Sequence, residues 1–299
     1  MAALREIKNR IDSVKSTRKI TSAMKMVSSA KLHKAQQAIE SMLPYQKTLT
    51  GIMARFLDTD NSFESPYIEP HVDIKRVALV VFSSNNSLSG AFNSNVIRLL
   101  MQVVEEYRNS TVNGIWIYPV GKKVEEAALK AGLSVQGSYQ SMAKKPAYND
   151  AEQLAREIME KYVSGEIDKV EILYFHFKSS GSQELTREIF LPVDPEDLLN
   201  QMKAESGDDK TETNIQTDYI VEPSVQELVD QLIPRVLQLK MYTALLDSNA
   251  SEHAARTMAM QIATDNATEL VRDLTKQYNK SRQQSITNEL LDIVGGSMR

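Results

Sequence analysis

Between Arg235 and Val294 the chain has neither glycine nor proline, and good helix formers fill the interval. At about 1.5 Å per residue, a helix over this interval would span roughly 90 Å. That exceeds the diameter of a compact domain built from a 299-residue chain. Such a helix has to leave its own domain and find a partner. Leu239, Tyr242, Leu246, Asn249, His253, Arg256, Met260, Ala263, Ala267, Leu270 and Leu274 recur at 3–4–3–4 spacing, the seam of a coiled coil. The mate lies at the other terminus. From Ala3 to Leu43 there is again no glycine or proline, and Leu4, Ile7, Ile11 and Val14 share one helical face. This predicts a helix over about 4–57, bent near Pro44, antiparallel to its mate if both leave the same body.

The seams are polar in places. Asn249, His253 and Arg256 occupy seam positions on the C-terminal helix, and Arg18, Thr21 and Lys25 on the N-terminal one. Polar seam residues either set register or face a third surface. A second stripe raises the same alternative. Ile20, Ala23, Met24, Val27 and Ala30 share a face that continues into Lys31 and Lys34. It is either core with snorkelling lysines or a surface that meets an acidic partner.

The middle of the chain alternates between strand and helix patterns. "RVALVVF" (76–82), "GIWIYPVG", "KVEILYFHF" and "ELTREIFLPV" read as strands. "NSNVIRLLMQVVEEYRN" reads as a helix with Asn93 or Ser94 near its cap, "KKVEEAALKAG" as one closed by Gly132, and "YNDAEQLAREIMEKYVSG" as one capped by Asn149. The alternation predicts a doubly wound, Rossmann-like α/β domain. "AESGDDKTETNIQT" reads as a flexible connection or a surface insert. The expected organisation is an N-terminal helix (1–57), a central α/β domain (58–217) and a C-terminal helix (218–299), the two helices forming a long antiparallel coiled coil.

Chemistry is scarce. The loop after the first strand, "SSNNSLSGAFNSN", has no Lys or Arg and neither of the glycine-rich phosphate motifs, so it reads as a structural turn rather than a cofactor site. His33, His71, His176 and His253 do not pair at ligand spacing, and there is no cysteine. No catalytic, cofactor-binding or metal-ligating set is expected. No apolar run is long enough to span a bilayer, and the start lacks the pattern of a signal or transit peptide.

Charge is distributed unevenly. Residues 1–57 carry 11 Lys/Arg against 3 Asp/Glu (+8), residues 58–223 carry 16 against 27 (−11), and residues 224–299 carry 8 against 9 (−1). A basic arm on an acidic body calls for an acidic partner. A nucleic-acid-binding coiled coil would explain the arm, but not the acidic body or the lack of aromatics on the basic face. An α/β enzyme with a dimerising coiled coil would need a catalytic cluster that the sequence does not offer.

Three segments resemble the gamma subunit of F-type ATP synthases, the central rotor shaft: "LREIKNRIDSVKSTRKITSAMKMVSSAKLHKAQ" (4–36), "DYIVEPS…LVDQLIPRVLQLKMYTALLDSNASEHAARTMAMQIATDNATELVRDL" (218–274) and "ITNELLDIVGG" (286–296). The sequence departs from the family where Asn85-Asn86 replace an Asp-Arg pair, Ser89 a cysteine, and Gly295-Gly296 a Gly-Ala. The resemblance implies a non-catalytic shaft standing in a ring of three alpha and three beta subunits. Its body attaches, with an epsilon subunit, to the membrane c-ring. No nucleic acid is involved, and the place is the cytoplasmic face of a bacterial inner membrane. The resemblance further implies that Arg256, Arg282, Gln283, Thr287 and Glu289 engage beta and alpha loops. Met24, Lys25 and Lys31 would lie near an acidic beta segment, and Leu290, Ile293 and Val294 would form an apolar bearing.

Overall fold

The computed structural model describes residues 2–59, 65–110, 112–194 and 224–297. Helix α1 (Ala2–Thr59) opens the chain and helix α6 (Val225–Ser297) closes it. Between them come β1 (Arg76–Phe82), α2 (Phe92–Arg108), β2 (Gly114–Val120), α3 (Lys122–Lys130), β3 (Ser134–Val135), α4 (Gln140–Lys144), α5 (Tyr148–Val163), β4 (Lys169–Ser179) and β5 (Ser182–Leu191). The polar connection expected at "AESGDDKTETNIQT" lies outside the described residues. α1 passes through Pro44 without ending. Pro44 is exposed, so the carbonyl that loses its partner one turn earlier can bond water. The chain divides into two compact units, Met1–Ala30 with Arg256–Arg299, and Lys31–Ala255. The units cut across both long helices.

The second unit is built on a five-stranded sheet in the order β3-β2-β1-β4-β5. β1, β2, β3 and β4 run parallel. β5 does not follow the doubly wound pattern the sequence predicts. It pairs antiparallel with β4 across the two-residue turn Ser180-Gly181, because a connection so short can only reverse the chain. β1 lies in the middle of the sheet and is buried on both faces, which explains its unbroken apolar run. Val77, Leu79 and Val81 pack against α2 and α3. Ala78, Val80 and Phe82 point the other way, into a core closed by α5, Met53 of α1 and the stretch Val229–Leu245 of α6. Further along, Leu32 and Ala35 of α1 pack on Ala250 and Ala254 of α6. Within this unit, later positions of α1 therefore meet earlier positions of α6, which makes the pair antiparallel. The small alanines let the two backbones approach closely.

Two expected caps differ in detail. α5 starts at Tyr148 with Ala147 at its cap position, so Asn149 lies inside the first turn. Lys145, before Pro146, and Ala147 are both extended, and the helix turns from Tyr148 on. α2 starts at Phe92 with no side-chain cap, and Asn93 instead turns back to the loop before it. α3 ends as expected: Gly132 has φ +67°, and the Leu133 N–H donates to the Ala128 carbonyl at 3.0 Å.

Gly121 joins β2 to α3 with φ +111° and ψ 147°, a conformation open essentially to glycine alone. A Cβ there would sit 2.2 Å from the Ser83 carbonyl oxygen. Ser83 is pinned, since its N–H donates to the Val120 carbonyl at 2.8 Å and its hydroxyl accepts from the Val124 N–H at 3.1 Å. Gly121→Ala is therefore expected to cost at least about 1–3 kcal/mol. Thermal unfolding of the purified variant checks this.

Candidate functional site

In the first unit the buried line of α1 runs through Ile11, Thr21 and Ser28, and that of α6 through Met260, Ala267 and Leu274. Thr21 and Thr264 share a hydrogen bond across the seam at 2.8 Å. One of the two hydroxyls donates across the seam and the other donates within its own helix, where the Arg18 carbonyl is in reach of Thr21 and the Met260 carbonyl in reach of Thr264. This part of the seam is thus polar but satisfied, the arrangement that sets register. The expected spacing slips on α6. Leu270 is 40% exposed, while Thr264 and Val271 are half-buried. A straight α-helix has 3.6 residues per turn, so a stripe counted at 3.5 drifts about 20° each heptad.

The second stripe on α1 is not core. Ile20 is 60% and Val27 57% exposed, Ala23 and Ala30 are exposed, and Met26 lies at 69%. Met24 and Lys25 are half-buried at its side, and Lys31, opening the second unit, is exposed. On α6, Met258 and Ile262 are exposed as well. Isolated exposed apolar residues are ordinary, but a repeat at helical spacing marks a contact surface.

The end of α6 presents most of the residues that the sequence nominates. Arg282, Gln283, Thr287, Glu289, Leu290, Ile293 and Val294 are all exposed, and every residue from 286 to 294 is exposed. The Thr287 hydroxyl donates to the Gln283 backbone carbonyl at 2.9 Å. A helical end with this many outward apolar groups gains little from water and much from a cavity that encloses it. Arg256 differs from the rest of the set: it is buried, at 8% exposure.

The carboxyl end of the sheet, where open α/β sheets take ligands, is filled. Leu245, Ser248, Asn249 and Glu252 of α6 close over Phe82, Ser83 and Val120 and leave about 10 Å³, room for at most about one water. The β1–α2 loop spends its polar groups on itself. The Ser84 hydroxyl donates to the Asn86 carbonyl at 2.6 Å, and the Asn93 amide oxygen accepts from the Ser84 N–H at 3.1 Å. Asn85 bridges outward, accepting from the Lys122 N–H at 2.9 Å and donating to the Gln140 carbonyl at 2.7 Å. It ties β1 to the start of α3 and to α4. The loop follows the middle strand and is not at a sheet edge. Among the described residues no group of His, Cys, Asp or Glu could hold a metal ion.

Sequence reasoning misses two features. Asn249, placed in the seam by its spacing, donates to the Ala143 carbonyl at 3.3 Å and so faces the sheet side. Glu171, an apparent break in an apolar strand, is the centre of a buried charge cluster with Tyr107, Lys169 and Arg187. A charge in the middle of a strand otherwise buried on both faces is the signal that could have found it.

The polar-seamed helical pair of the first unit, with its exposed helical end, has the features of a shaft or docking element. Among solved structures the fold resembles a chain in the central stalk and c-ring structure of the Tetrahymena thermophila mitochondrial ATP synthase (TM-score 0.59, 20% identity, 82% of this chain and 99% of that chain). It also resembles a chain of the Euglena gracilis mitochondrial ATP synthase (TM-score 0.60, 22% identity, 99% and 94%). The model of the ATP synthase family matches residues 3–298. The chain belongs to that family. It is 58% identical, over the full length of both chains, to the ATP synthase gamma chain of Bacteroides thetaiotaomicron.

Proposed function

We infer that this chain is the central stalk of an ATP synthase, turning inside a ring of three alpha and three beta subunits and joined below, with epsilon, to the membrane c-ring. The observation that carries this reading is the exposed end of α6, in a chain whose family and fold are those of ATP synthase stalks. The stalk makes and breaks no bonds. It presents different side chains to each beta subunit as it turns. Because a ligand or partner shifts an equilibrium only by its differential affinity for the states, each orientation favours a different set of open and closed catalytic sites. No helix among the described residues is long and apolar enough to cross a membrane. We place the chain on the cytoplasmic face of a bacterial inner membrane, held there through its partners.

In this reading Leu290, Ile293 and Val294 supply the apolar bearing. Arg282, Gln283, Thr287 and Glu289 meet loops of the ring, and Met24, Lys25 and Lys31 lie toward an acidic beta segment. Arg256, being buried, contributes by a charge-assisted hydrogen bond that a beta loop reaches at the seam. Arg256→Ala is expected to leave assembly intact and to lower ATP-driven torque several-fold, read by bead rotation. Unchanged torque would assign Arg256 to the seam alone. The whole reading is tested by mixing the chain with alpha and beta subunits from the same source. Co-elution and a gain in ATP hydrolysis are expected, with no retention on DNA at moderate salt. Retention on DNA without assembly would favour nucleic acid as the acidic partner.

A further inference from the structure

In the second unit, a groove of about 540 Å³ runs between α1, α6 and the β4–β5 hairpin. Along its wall and just beyond it runs a row of polar contacts that the stalk reading does not use. Lys240, Asp247 and Ser251 follow at i, i+7 and i+11, so they form one stripe on α6. Lys240 donates to the Ile189 carbonyl at 3.2 Å and pairs with Glu188 at 3.4 Å. Asp247 holds the His176 imidazole at 2.5 Å. Ser251 donates to the Phe175 carbonyl at 3.3 Å. From roughly the opposite side of the helix, Asn249 donates to the Ala143 carbonyl. Apolar packing holds a helix down but resists rotation about its own axis weakly, because it is non-directional. Hydrogen bonds gripping the helix from two sides are directional and resist such rotation.

We propose that Lys240, Asp247, Asn249 and Ser251 are positioning residues that lock the rotational setting of α6 on the sheet, and that the Asp247–His176 contact makes this lock pH-sensitive. The functional consequence, loss of torsional stiffness in the helix that carries the exposed end, rests on the stalk reading. The lock itself does not.

The charged and titratable groups around His176 are few. α6 brings Asp247 and Lys240, β5 brings Glu184 and Glu188, β4 brings Lys178 and Tyr174, and α1 contributes only uncharged Ile39, Leu43 and Gln46 to the groove. The hydrogen bond to Asp247 raises the His176 pKa above its ordinary 6.5, against burial and Lys178 and helped by the charges of Asp247 and Glu188. Burial pushes Asp247 up, while His176 and the Phe177 N–H pull it down. The ion pair exists between these two values. A histidine whose folded pKa is raised contributes fully below its unfolded value, near 6.5, and loses that contribution as pH rises through the folded one. Above it, Asp247 is left close to Glu188 without its counter-charge.

The test is amide hydrogen exchange on the chain assembled with alpha and beta subunits, comparing wild type, His176→Gln and Asp247→Asn at the same pH so that intrinsic exchange rates cancel. Near pH 6, residues 240–251 are expected to be about fivefold more protected in wild type than in either variant, and near pH 9 the difference should vanish. A difference equal at both pH values, or none at pH 6, would overturn the proposal. If a variant does not assemble, wild type alone decides: protection of 240–251 relative to 151–159 of α5 should fall between pH 6 and 9, and a constant ratio contradicts the lock. Bead rotation on the same samples separates the two readings. Lost protection with unidirectional rotation but unchanged stiffness keeps the lock and removes its torsional role, whereas no rotation in any sample counts against the stalk reading alone.

Discussion

Glu171→Ala is expected to lower the stability of the chain by about 3–5 kcal/mol, the usual loss when one partner of a buried charge cluster is removed. Glu171 lies on the α2 face of β4 at 2% exposure. Its carboxylate accepts from Arg187 Nε at 2.8 Å and Nη2 at 3.2 Å and from the Tyr107 hydroxyl at 2.5 Å, and pairs with Lys169 at 3.0 Å. Arg187 also reaches Glu106 of α2, so one carboxylate ties α2, β4 and β5 together. With alanine, Lys169 would lose its carboxylate partner and Arg187 would keep only Glu106. Burial pushes the Glu171 carboxyl up, but the bonds from Arg187, Tyr107 and Lys169 outweigh it and hold the pKa below the ordinary 4.5. A carboxylate with a depressed folded pKa contributes stability above its unfolded value and loses it as pH falls through the folded one. Wild-type stability should therefore drop below about pH 4.5 by more than that of Glu171→Gln, which keeps the shape without the charge. Denaturant unfolding followed by Trp116 fluorescence measures both effects. A loss under about 1 kcal/mol for Glu171→Ala would mean that the cluster is replaceable.

The second large effect is functional. Ile20→Asp combined with Val27→Asp should leave the fold intact, because both side chains are more than half exposed. If this stripe closes against a partner that is acidic or apolar, the pair loses two apolar contacts and places two carboxylates where they are opposed, at a cost of several kcal/mol. Each 1.4 kcal/mol is tenfold, so ATP hydrolysis by the assembled ring should fall by tenfold or more. An unchanged melting temperature with a lost rate is the expected pattern. Unchanged rates would show that this stripe faces water throughout the cycle.

Much of this architecture is legible in the sequence, for physical reasons. The long helices are legible because glycine and proline are absent over intervals that no other structure uses in this way. Four strands and three helices of the sheet domain are legible because β1 and its neighbours carry apolar runs bounded by turn residues. β3 is not, since a two-residue pairing such as Trp116 with Ser134 needs no pattern of its own. The antiparallel sense of β5 depends on the short turn at Ser180-Gly181, a signal that strand–helix alternation masks. On α6 the period is legible and so is most of its phase, since Leu239, Leu246, Met260, Ala267 and Leu274 of the expected seam are buried. Spacing alone places Leu270 inward, whereas the helix leaves it 40% exposed and brings Thr264 to Thr21 instead. The same limit applies to Asn249, whose seam position hid a bond to the Ala143 carbonyl. Of the nominated surface residues, those at the end of α6 follow from composition and resemblance. The burial of Arg256 follows from neither but from its place in the 3–4 spacing of the seam.

The central claim is that this chain turns within a ring. The most direct measurement fixes the ring of alpha and beta subunits to a surface, attaches a bead to the sheet domain at an exposed position of α5, and adds ATP. The stalk reading predicts rotation in one direction that stops when ATP is exhausted. A ring that contains the chain and hydrolyses ATP while the bead only fluctuates would contradict it.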